Sequence, residues 1–305
     1  MEADNVAGLP RNTLRSHRPN DLYTSERGQL FGIAYRMLGE VGEAEDAVQE
    51  TFLRWAQADQ DGIDNPPAWL TTVLTRICLD RLKSAQHQRE TYVGPWLPEP
   101  LLGDDVDPAD IAGTTDTLTF AFLVVLERLS PAERAAFLLH DVFGFEHAEI
   151  AAMLERSPAA VRQLAARARR HLADARPRYE QDVTRRRQVA EAFTAATVGG
   201  DLERLMEVLA PDVTFVSDGG GVVIAARKPL HGARQVANTL LKFAAQRTDK
   251  HTVDACEINS MPGFLIWEGT AIHSVWTLQI ADDHVAAIHV VRNPHKLSAI
   301  ARHRP

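Results

Sequence analysis

The chain has 305 residues, 45% hydrophobic and 24% charged, with a formal net charge of -8. About two domains are expected, with three small ones possible, and the acidic balance excludes a protein that finds nucleic acid by bulk charge alone. No apolar run approaches the ~20 residues of a membrane span, and two distant cysteines, Cys78 and Cys256, without any CxxC argue against a zinc site or disulfide framework and for a reducing cytoplasm.

In chain order, residues 1–22 come first and begin MEADNVAGLPRNTLRSHRPND. They have no apolar signal core and read as a flexible tail. Residues 23–90 are helical in pattern. In GEAEDAVQETFLRWAQ, the residues Ala44, Ala47, Val48, Thr51, Phe52 and Trp55 share one face. Glu43, Glu45 and Asp46 sit in the first turn, where the helix dipole favours carboxylates. The opposite face carries Asp46, Gln49, Glu50 and Leu53, which suits either a solvated surface or a protein-docking face. In DNPPAWLTTVLTRICLDRLKSAQHQRE, Asn65 can cap and Pro66 suits the first helical position. Arg76, Arg81 and Lys83 gather toward the end of that helix, with Trp69 near its start. They read as dipole-complementing cations or as a phosphate-contacting edge beside an aromatic that could meet unstacked bases.

Residues 91–116, with GPWLPEPLLGDDVDPADIAG, break the periodicity and read as a linker. Residues 117–178 return to helical spacing. Ser130-Pro131 opens one helix, and HAEIAAMLERSPAAVRQLAARARR then predicts two helices around a short break, with Ser157 as N-cap and Pro158 first in the second helix. Val161, Leu164, Ala168 and Leu172 form its buried stripe. Arg162, Gln163 and Arg170 lie opposite, flanked by Arg167 and Arg169. Arginine can pair with guanine and glutamine with adenine in a major groove, so this is a helix-turn-helix with a candidate reading face.

Residues 184–305 change character. RRRQVAEAFTAATVGGDLERLMEVLAPDVTFVSDGGG predicts two helices and a strand entering a turn, and HGARQVANTLLKFAAQ a longer helix. FLIWEG, TAIHSVWTLQI and HVAAIHVVR alternate as strands. Helices before a curved antiparallel sheet predict an α+β cone. SDGGG reads as a hairpin turn, its glycines allowing positive φ. Asp218, His273, His289, Trp267 and Trp276 are the candidates for a catalytic pocket. Strand parity, however, puts Trp276 and His273 on opposite faces. An enzyme, a ligand-sensing regulatory module and a structural support all stay open for this block.

The AEDAVQETFLRW helix, the PPAWLTTVLTRICLDRLKS helix and the helix-turn-helix downstream, in that order, resemble extracytoplasmic-function (ECF) sigma factors of bacteria over roughly residues 23–178. RETYVGPWLPEP is similar to the linker of the sigma factor J type of mycobacteria and other actinobacteria, in which a SnoaL-like (NTF2-like) domain follows two all-α sigma domains. The resemblance implies a multidomain, non-enzymatic, cytoplasmic transcription factor with no cofactor and no metal. Its partners would be the β′ clamp and β flap of core RNA polymerase and promoter DNA, with the cone as a candidate site for a small-molecule ligand. It implies that Asp46, Gln49, Glu50 and Leu53 dock on polymerase. Trp69, Arg76, Arg81 and Lys83 would melt and read the −10 element, and Arg162, Gln163, Arg167, Arg169 and Arg170 would read the −35 element. Trp96, Leu97 and Pro98 of the linker, Asp218, Gly219, Gly220 and Gly221, and Asn293 and Lys296 of NPHKL are the implied interdomain contacts. Two departures from that pattern stand out: Val222 follows the glycines where the family has a cation, and His295 replaces an acid in NPHKL. The weaker alternatives are a ligand-sensing regulator that does not dock on polymerase, and a SnoaL-fold enzyme with a DNA-binding half.

Overall fold

A computed structural model describes residues 19–89, 92–102, 118–173 and 182–303 of the chain. It opens with α1 (Pro19–Leu38), α2 (Val41–Gln57) and α3 (Pro66–Arg89). The last four residues of the expected tail, 19–22, thus belong to α1; residues 1–18 lie outside the described ones. The apolar stripe of α2 packs inward as its spacing predicts, burying Ala44, Ala47, Val48, Thr51 and Trp55. Asn65 Oδ1 accepts the Ala68 N–H at 3.2 Å, satisfying a donor that the first turn of α3 leaves free.

The second helical group is α4 (Phe120–Leu126), α5 (Pro131–Phe137), α6 (His147–Leu154) and α7 (Pro158–Ala173), with a π-type turn, Leu138–Val142, prolonging α5. Ser130 and Glu133 cap α5 reciprocally. Ser157 Oγ accepts the Ala160 N–H at 3.2 Å, and Val161, Leu164, Ala168 and Leu172 are buried. The two helical groups do not stand apart. One apolar core runs from Leu22 to Leu172, and α3 packs on α5 and α6. Arg134, almost fully buried, donates to the Met37 carbonyl at 2.6 Å and pairs with Glu127 at 2.8 Å.

The last block has α8 (Val183–Gly199), α9 (Leu202–Val208) and α10 (Ala233–Ala245). They pack on a sheet of β1 (Leu209–Asp218), β2 (Leu230–His231), β3 (His251–Ile258), β4 (Met261–Glu268), β5 (Ala271–Ala281) and β6 (His284–Val291), in the order β2-β1-β6-β5-β4-β3. The expected α+β cone is present, but its sheet is mixed. β6 closes the β3–β6 meander by lying parallel to β1, with Phe215 opposite Ile288. The segment between them includes α10 and the other strands, which supplies the long connection a parallel pair needs. SDGGG is not a tight hairpin turn either. Asp218 still pairs with Val291, and a long loop follows before β2 returns antiparallel to β1.

β5 also departs from strict alternation. Ile266 pairs with Ser274 but Trp267 with Ile272, so His273 is an extra, bulged residue. A bulge reverses side-chain parity beyond it. His273 and Trp276 therefore line the same cavity on the helix-covered face, contrary to the strand alternation. The opposite face of the sheet buries a separate core of Leu97, Phe120, Ala121, Ile258, Trp267, Val275 and Val291. That core joins the linker and α4 to the cone. His289 lies there, its ring 5.5 Å from that of Phe120, and burial pushes its pKa down to about 4.

Candidate functional site

On α2, Asp46 and Gln49 are exposed and Leu53 is 56% exposed, a large apolar side chain between polar ones. Glu50 is half-buried. It accepts from Arg54 at 2.6 Å and from Arg81 at 3.2 Å, and Arg81 also meets Glu43 at 2.8 Å. Arg81 thus binds two carboxylates of α2 rather than standing free. Arg76 reaches the other helical group: it donates to the Met153 carbonyl at 3.3 Å and pairs with Glu155 at 3.0 Å. Trp69 is half-buried, edge-on to Trp55 at 5.4 Å, and Lys83 pairs with Asp80 at 3.1 Å.

On α7, Arg162, Gln163, Arg167, Arg169 and Arg170 are all exposed. Two of them are held from behind. Arg167 meets Glu133 at 3.0 Å, and Arg169 makes a two-pronged contact with Asp141 at 2.8 and 3.1 Å. Arg162, Gln163 and Arg170 make no hydrogen bond or ion pair among the described residues.

Of the linker, residues 92–102 are described and the rest lies outside the described residues; Leu97–Leu101 form a buried strap. The Asp218 carboxylate, fully buried at the end of β1, accepts four hydrogen bonds. Tyr92 donates at 2.6 Å, Gly220 N–H at 2.9 Å, Leu97 N–H at 2.9 Å and Lys296 Nζ at 2.8 Å. Lys296 Nζ also donates to the Leu97 carbonyl at 2.5 Å and lies 4.0 Å from the centre of the Trp96 ring. Asn293 caps α11 (Pro294–Leu297) and donates to Tyr92 Oη at 3.0 Å. A Cβ on Gly220 would come within 2.5 Å of that Asn293 amide, so glycine is required there.

The strap's other side holds the first helical group. Glu99 accepts the Val41 N–H at 2.7 Å, at the start of α2, where the helix dipole favours a carboxylate. Burial raises the Glu99 pKa above the ordinary carboxylate range, and that backbone bond opposes the rise. Tyr35 donates to the Glu99 carbonyl at 2.6 Å and accepts from Asn259 of the cone at 2.9 Å. Trp96 packs on Gly39, where a Cβ would lie 2.6 Å from its ring. Trp96, Leu97, Asp218, Gly220, Asn293 and Lys296 therefore meet in one place, and the buried Pro98 follows in the same strap. Sequence reasoning missed Tyr35, Tyr92, Glu99, Arg134 and Asn259 as members of these contacts. Tyr92 and Glu99 stood within the quoted linker motif, but nothing local marked Asn259.

The five pocket candidates are not gathered. Only His273 and Trp276 line the cavity; Asp218 faces the strap, and His289 and Trp267 lie on the other face of the sheet.

The profile for Sigma-70 region 2 matches residues 22–88, and that for Sigma-70, region 4 matches residues 119–172. The chain is 43% identical over 225 residues to the ECF RNA polymerase sigma factor SigJ of Mycobacterium tuberculosis, covering 70% of each. It is 35% identical over 281 residues to a probable ECF RNA polymerase sigma factor, SigI, of the same organism, covering 91% of this chain and 94% of that one. A crystal structure of M. tuberculosis SigJ superposes with a TM-score of 0.74 at 34% identity, over 92% of this chain and 98% of that chain. The chain belongs to the extracytoplasmic-function family of RNA polymerase sigma factors and is a factor for transcription initiation.

Proposed function

We propose that this sigma factor docks on the β′ clamp of core RNA polymerase through the α2 face of Asp46, Gln49, Glu50 and Leu53. Its region-4 helices then contact the β flap. α3, with Trp69, Arg76, Arg81 and Lys83, opens and reads the −10 element, and α7 reads the −35 element. Arg162, Gln163 and Arg170 face the bases and nearby phosphates, while Arg167 and Arg169, fixed by Glu133 and Asp141, set the angle of the helix.

The observation that carries this reading is the shared core of the two helical groups, closed by Arg76 on Met153 and Glu155 and by Arg134 on Met37. The −10 and −35 elements are separated by roughly 25 base pairs, about 85 Å of duplex. A compact body of about 150 residues spans only about 40 Å. The contact must therefore open on a promoter, and opening releases Arg76 for DNA. The cone and strap hold the closed form by gripping both groups at once, which makes the third block a modulator of transcription rather than a catalyst. In support of that last point, Asp218 is fully engaged in the strap and faces away from the cavity.

Run-off transcription with core polymerase tests the docking face. Leu53→Asp adds a charge on an exposed apolar contact and should abolish polymerase-dependent transcripts without unfolding the protein. Normal transcription by that variant would contradict the assignment.

A further inference from the structure

The cone encloses a cavity of about 570 Å³, partly open to solvent, within the range of small-molecule sites. Its walls are apolar and aromatic. Phe215, Phe243 and Trp276 meet edge-on or tilted with ring centres 5.9 to 6.4 Å apart, and Phe193 and Phe264 line the other side. Such walls favour a flat aromatic body.

One end is polar and cationic. Arg292, half-buried, donates to the Ile224 carbonyl and to His273 Nε2, the latter at 3.1 Å. That bond fixes the tautomer: His273 Nδ1 carries the proton and donates to Ser274 Oγ at 3.2 Å, which also accepts from Trp276 Nε1 at 2.9 Å. The ring is neutral, because burial and the neighbouring Arg292 and His251 all depress its basicity, with Glu268 opposing them. The guanidinium keeps its charge unneutralised. Arg292 has no carboxylate partner among the described residues, its buried Nε–H has no acceptor there, and no Asp or Glu lines the cavity. A second arginine, Arg247, stands exposed at the lining. A charge taken from water without a counter-ion is costly, and an anionic group placed against Arg292 would offset that cost.

We infer that the cavity is a binding site for an aromatic monoanion, a two- or three-ring carboxylate whose rings lie between the aromatic walls and whose acid group meets Arg292. The site is wired to the strap by single residues. Ser217 lines the cavity and Asp218 follows it; Arg292 lines it and Asn293 follows. The backbone N–H groups of Arg292 and Asn293 both donate to the Asp218 carbonyl, at 2.7 and 3.0 Å. The inference stands on the cavity alone and does not need the sigma domains to be regulated.

The experiment is calorimetric titration of the full-length protein with 2-naphthoate and, separately, with its neutral counterpart 2-naphthalenemethanol. The acid should bind at least tenfold more tightly. Arg292→Met should bring the acid down to the level of the alcohol, Arg292→Lys should retain part of the preference, and Ala244→Trp, which fills the cavity from α10, should abolish binding of both. Equal affinity for acid and alcohol, undiminished binding by the Ala244→Trp protein, or no binding of either probe at millimolar concentration would each overturn it.

Discussion

Asp218 shows how a single buried carboxylate can organise three parts of a chain. It is fully buried and its salt bridge to Lys296 is 2.8 Å long with the lysine side chain 5% exposed. Removing one partner of such a pair leaves an uncompensated buried charge and costs about 3–5 kcal/mol, whereas replacing both by apolar groups is often close to neutral. Asp218→Ala should therefore lower the midpoint of urea unfolding well below that of the Asp218→Leu, Lys296→Met double variant; a double variant no more stable than the single one would show that the ion pair is not the source of the cost. His289 carries a pH dependence of definite sign. Buried against Phe120, it titrates at about 4 instead of the ordinary 6.5, so the unfolded chain takes up its proton first. Its contribution is complete above pH 6.5, falls as the pH drops through 6.5, and is lost by pH 4, up to about 3 kcal/mol in all. His289→Leu should flatten that part of the stability–pH curve, and an unchanged slope would place the dependence elsewhere.

At the scale of elements, what could be read from the sequence was what is decided locally. Ser157, Pro158 and the Val161–Leu172 stripe specify α7 within sixteen residues, and the cap and burial follow as the spacing requires. The same holds for Asn65 and α3. What could not be read is set by distant partners. The bulge at His273 exists because β4 pairs on both sides of it, and the Tyr35–Asn259 bond joins residues 224 positions apart. The strap motif was legible through resemblance, yet its chemistry, a carboxylate satisfied four times over, appears only when the strands are in place. The exposed face of α7 makes a prediction at this scale. Arg162→Ala or Gln163→Ala should relax base preference at single −35 positions by about 1–3 kcal/mol, while Arg170→Ala should weaken binding evenly and reduce the salt slope by about 1. Promoter-library selection and salt titration separate the two effects. Equal losses on every sequence from all three variants would contradict the orientation of the helix.

For the whole molecule, the acidic charge and the closed form belong together. A net charge of -8 opposes binding of the free chain to DNA by bulk electrostatics. On the proposed reading, polymerase docked through α2 would bring it to the promoter and separate the two helical groups. Energy transfer between dyes at Asp80→Cys on α3 and Ala173→Cys at the end of α7, with Cys78 and Cys256 replaced by serine or alanine, measures that separation directly. The dyes should lie close in the free protein and move beyond about 60 Å, out toward the promoter span, when core polymerase and promoter DNA are added. A short distance that persists in a complex actively making transcript would contradict the opening on which the function is argued.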